Sequence, residues 1–69
     1  EIALAICDFA NRYIDEFDKA PEARALAAYM VEHGEKELGF TMTARDEYDF
    51  NGKRLKLRQL KERLEGYKR

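Results

Sequence analysis

The chain predicts a single small α+β domain over residues 1–69: two antiparallel N-terminal helices, a small antiparallel sheet of two or three strands, and a C-terminal helix. Three observations carry this. Apolar residues recur at helical spacing from Ile2 to Phe17. An Asn51-Gly52 pair sits between alternating residues, and Leu57, Leu60, Leu64 and Tyr67 recur at helical intervals near the C-terminal end.

The first helix, over about residues 2–18, rests on two opposed arcs. Ile2, Ile6, Phe9, Ala10, Tyr13, Ile14 and Phe17 share one side of a helical projection, and Asp8, Asn11, Arg12, Asp15, Glu16 and Asp18 share the other. Asp8 with Arg12 and Asp15 with Lys19 are acid-then-base pairs one turn apart, each adding about 0.2–0.5 kcal/mol. Leu4 falls outside the apolar arc and Cys7 lies at its edge. A second helix restarts at Pro21, because proline suits a first turn and Glu22 suits the helix dipole. Its stripe is Ala23, Leu26, Ala27, Met30, Val31 and Leu38, and the alanines permit close approach to the first helix. The short link makes the two helices antiparallel neighbours. Gly34 and Gly39 both offer an end; a helix running to Leu38 with Gly39 as a left-handed cap is preferred, with Phe40 closing over it. Glu37 then falls inside the apolar arc, a local conflict.

Phe40 to Ala44 alternates at period two and predicts a strand over 40–44. Asn51-Gly52 is the strongest short-range signal for a two-residue type I′ hairpin. It sets Phe50 opposite Lys53, Asp49 opposite Arg54, Tyr48 opposite Leu55 and Glu47 opposite Lys56, joining strands 47–50 and 53–56. One face then holds Tyr48, Phe50 and Leu55, and the other holds two opposite-charge pairs worth about 0.2–1 kcal/mol each. The leucine seam predicts a last helix over about 57–68.

At 69 residues, 45% of them apolar and 39% charged, the chain is built to fold but not to enclose a deep cavity. Such a chain hides only about 60% of its unfolded surface. Its longest apolar run, Ile2 to Cys7, is far short of the roughly 20 residues a membrane span needs, so no membrane partner is expected and a cytoplasmic setting is the default. Cys7 is the only cysteine, so the core holds without an intrachain disulfide. Glu1 in place of an initiator methionine suggests a processed chain or a domain of a longer protein.

Charge is segregated along the chain. Residues 1–50 hold five Lys or Arg against twelve Asp or Glu, whereas residues 51–69 hold eight basic residues against Glu62 and Glu65. The opposite signs favour association of two copies, basic helix against acidic helix, unless the fold satisfies them internally.

No constellation of catalytic residues, metal ligands or cofactor-binding residues emerges. Cys7 and His33 are the one thiol and one imidazole, with no orienting motif near them, so packing explains the thiol. His33 and Glu37 have the spacing of two zinc ligands on a helix, without an identifiable third. The Gly34 to Gly39 segment has neither the Walker nor the dinucleotide spacing. The functional candidates are therefore basic: Arg54, Arg58, Lys61, Lys68 and Arg69, which share one side if the last helix is extended back through the preceding strand. Against a phosphate-binding stripe stand the one-turn pairs Arg58–Glu62, Lys61–Glu65 and Glu65–Arg69, the pattern of a solvated helix. Tyr48 and Phe50 beside basic residues could stack bases, but are wanted by the core. The leucine seam either packs on its own sheet and helices or docks another helix. The expectation is a non-enzymatic protein–protein interaction module, a regulator, inhibitor or adaptor; the alternative is a nucleic-acid-binding domain using the basic hairpin and last helix.

Overall fold

The computed structural model describes residues 2–67. Its elements are α1 (Ile2–Phe17), α2 (Ala23–Leu38), β1 (Phe40–Ala44), β2 (Glu47–Phe50), β3 (Lys53–Lys56) and α3 (Leu57–Glu65). The strands form one antiparallel sheet in the order β1-β2-β3, with the helices packed on a single face. The predicted α+β architecture is the one found.

Ile6, Phe9, Leu26, Met30, Phe40 and Leu60 are the large, fully buried side chains, so all three helices and the sheet contribute to one core. The antiparallel α1–α2 pair is held by contacts that run in opposite order along the two helices. Arg12 reaches Glu37 at 3.1 Å, and the Tyr29 hydroxyl donates to Glu16 at 2.9 Å. The pair with Arg12 resolves the conflict at Glu37, because the carboxylate leaves the apolar stripe to meet the guanidinium. Gly34 is buried within α2 rather than ending it; a Cβ there would stand 3.4 Å from Phe9 Cζ, so the missing side chain allows close packing. Leu4 is 70% exposed, as its place off the arc implies. Phe17, predicted on the buried arc, is 48% exposed; at the end of α1 its ring packs on Tyr13 and Tyr29 outside the buried core.

The helix ends depart slightly from the pattern. α1 stops at Phe17, with Asp18 in the left-handed region and its N–H donating to the Ile14 carbonyl. α2 begins at Ala23 rather than Pro21, because Glu22 is still extended and the buried Pro21 belongs to the link. It runs to Leu38, where Gly39 at φ 67° donates to the Glu35 carbonyl at 3.0 Å. α3 ends at Glu65 instead of continuing to residue 68, which lies outside the described residues. Past Glu65, Tyr67 turns back so that its hydroxyl donates to Asn11 Oδ1 on α1.

The hairpin register is the predicted one in all four pairs, and Asn51 and Gly52 take φ 52° and 94°. The two charge pairs on its outer face do not close into ion pairs. Asp49 instead accepts the Gly52 N–H at 3.0 Å, capping the turn, and Glu47 and Lys56 remain exposed. Solvation of exposed charges outweighs a cross-strand pair of this small size.

Tyr48 is 4% exposed and stacks on Phe40, so the sheet aromatics serve the core. Burial, with the Asp46 charge adding to it, raises the Tyr48 phenol above its ordinary 10.0. The folded chain holds the neutral phenol, so its contribution is complete below the ordinary tyrosine range and is lost as pH climbs through the raised value. Urea titrations at neutral pH and above pH ~10 should show Tyr48→Phe keeping more of its neutral-pH stability in alkali than the parent chain.

Candidate functional site

The β1–β2 turn, Arg45-Asp46, is clamped from two sides. Asp46 takes φ 59°, a left-handed conformation that aspartate tolerates, and its carbonyl accepts the Leu57 N–H at 2.9 Å where α3 begins. Its carboxylate meets Arg24 in the first turn of α2: Oδ1, shut off from solvent, lies 2.8 Å from Nη1 without hydrogen-bond alignment, and Oδ2 is 3.4 Å from Nη2. The start of α3 is closed by Gln59 Oε1, which accepts the Lys56 N–H at 2.8 Å. These contacts bring the N-terminal ends of α2 and α3 to the same turn.

Between them lies an open groove of about 1120 Å³. Pro21, Ala23, Leu57 and Leu64 supply its apolar floor, with Leu57 and Leu64 half-buried. Arg45, Lys56, Arg58 and Lys61 stand on its rim, interleaved with Glu22, Glu47 and Glu65. Arg58 is within 3.8 Å of Glu62, whereas Arg45, Lys56 and Lys61 form no ion pair among the described residues. Helix N-termini and unpaired cations both favour carboxylate or phosphate oxygens, and the leucines favour an apolar side chain between them.

Of the sequence candidates, Arg58 and Lys61 reach this groove. Arg54 does not join them on a common side. β3 alternates at period two, so Arg54 lies on the outer face opposite Asp49, and the helical projection does not extend back through a strand. Lys68 and Arg69 lie outside the described residues. Sequence reasoning passed over Arg24 and Arg45, which come from segments apart from the basic stretch, and set Lys56 against Glu47 across the hairpin. A cation in the predicted turn, Arg45, was the one available signal. The leucine seam divides: Leu60 is fully buried, Leu57 and Leu64 border the groove, and Tyr67 has left the helix.

The remaining candidates sit elsewhere. Cys7 is an exposed free thiol beside Ala3, Ile6, Glu62, Arg63, Gly66 and Tyr67. His33 packs against Tyr29 at 4.4 Å between centroids with the rings tilted by 52°, and Glu37, its supposed co-ligand, is engaged by Arg12. Among the described residues, no three His, Cys, Asp or Glu side chains are grouped to hold a metal, and no helix is long and apolar enough to cross a membrane. No family model, curated protein or solved structure matches the chain.

Proposed function

We propose that this chain is a non-enzymatic protein-interaction module, and that its groove receives an amphipathic, carboxylate-bearing segment of another protein. The observation that supports this reading most directly is the groove's lining: half-buried leucines in the floor and cations without ion-pair partners on the rim. The open groove of about 1120 Å³ has room for a helix or extended peptide. A polyanionic backbone fits less well, because Glu22, Glu47 and Glu65 break the cationic rim and Tyr48 is buried away from any base. A regulator, inhibitor or adaptor in the cytoplasm accords with an exposed thiol, which a reducing compartment keeps free.

The test is selection of peptides from a randomised display library on the folded chain. Enriched sequences should combine Asp or Glu with Leu or Phe, and the exposed-site substitution Lys61→Glu should weaken their binding about tenfold, the loss of one charged contact. Peptides that bind Lys61→Glu and Leu64→Lys as well as the parent chain would overturn the groove assignment. Anisotropy of labelled duplex and single-stranded oligonucleotides, at about 50 and 200 mM salt, tests the other reading; salt-sensitive binding there without peptide enrichment would replace the protein partner by nucleic acid.

A further inference from the structure

The two edges of the sheet differ in character. β3 presents Lys53, Arg54 and Lys56, three exposed cations of the kind that keep another strand away. β1 presents Thr41, Met42, Thr43 and Ala44, with no charge and no proline; its register with β2 shifts between Met42 and Ala44, so the regular part of this edge is Phe40 to Met42. Met42 is 54% exposed, and Thr43 and Ala44 are exposed with it. The Asn51 N–H donates to the Gly39 carbonyl, which sets the alternation: Thr41 turns its backbone groups toward β2, and Met42 turns its own outward. Among the described residues, no other element hydrogen-bonds to that outward side.

We infer that β1 is a self-association edge, on which a second copy of this chain pairs antiparallel through its own β1. The sheet then runs through six strands, β3-β2-β1 of one copy continuing into β1-β2-β3 of the next. A two-fold axis at β1 sets an uncharged strand against itself, whereas the same operation at β3 would set three cations against three. Antiparallel pairing also carries the turn end of each β1, with the unpaired Arg45, toward the other copy's Gly39. There α2 closes with the negative end of its dipole and an exposed Glu35, a favourable place for a cation. Met42 lies on the core-facing side of the sheet beside Tyr48, so pairing buries it against its symmetry mate. The thioether loses its solvent exposure and the outward amide gains an acceptor.

The seam is short, since Phe40 is already covered by its own chain, and a strand of 5 residues falls short of the roughly 20–30 residues a side of stable interfaces. A weak dimer is expected, measurable by sedimentation velocity as the chain is concentrated from tens of micromolar to about millimolar. Over that range the parent chain should pass from monomer toward dimer mass, and the Met42 amide should become slower to exchange. Met42→Lys, an exposed substitution that blunts the edge, should stay monomeric, and Met42→Pro should do the same because its missing N–H faces outward. Arg54→Glu on β3 should associate like the parent. A parent chain that remains monomeric throughout would overturn the inference. So would a dimer that survives Met42→Lys, and one that Lys61→Glu alone abolishes would move the contact to the groove. Because peptide binding at the groove is read in the monomer, either conclusion stands without the other.

Discussion

Replacing Phe40 with alanine is expected to remove from about a third to all of the chain's stability. Phe40 has no exposed surface, stacks on Tyr48 at 5.5 Å between centroids and meets Phe50 at 6.5 Å. It is also the residue at which α2, through the Gly39 cap, passes into the sheet. Phe→Ala at a closed site costs about 3–5 kcal/mol through lost burial and the cavity left behind. A 69-residue domain has a total stability of only about 3–10 kcal/mol, so the loss is a large share of it. Urea titration followed by far-ultraviolet circular dichroism checks this, and a midpoint unchanged from the parent would remove Phe40 from the core.

Gly52→Val is expected to lower the melting temperature by roughly 10 °C, from a penalty of about 1–3 kcal/mol. Nothing lies within 4 Å of a Cβ built at Gly52, so steric contact with the rest of the fold is not the cause. The cost is in the backbone itself. Gly52 sits at φ 94°, where a β-branched side chain crowds its own main chain, while asparagine tolerates the left-handed region better. Gly52→Asn should therefore melt between the parent chain and Gly52→Val. Three coincident melts would mean that the two-residue turn does not hold the hairpin.

The hairpin was legible because turn chemistry, alternation and register are local and agree with one another. α1 and the Gly39 cap were legible for the same reason, each following from spacing within one segment. The candidate site was legible only in part. Arg58 and Lys61 stand on one exposed helix and follow from its periodicity, but they become part of a groove through Asp46, which ties a turn to the starts of two helices. Arg24, Arg45 and Lys56 enter by that route, and no spacing along the chain connects them. The cross-strand charges show the opposite limit. Register placed them opposite one another, yet Asp49 turned to the Gly52 N–H at 3.0 Å.

By itself the sequence determined the element order, the register of the β2–β3 hairpin, the left-handed positions at Asn51, Gly52 and Gly39, and the apolar faces that must meet. Tertiary structure alone decided that Glu37 is drawn off the apolar face by Arg12, that Arg54 is parted from Arg58, and that the uncharged β1 and the cationic β3 are the two edges of the sheet. The division follows from range. Backbone preference and hydrophobic period act within a few residues of one segment, whereas a groove, an ion pair between helices and an open sheet edge depend on which segments the packed core brings together.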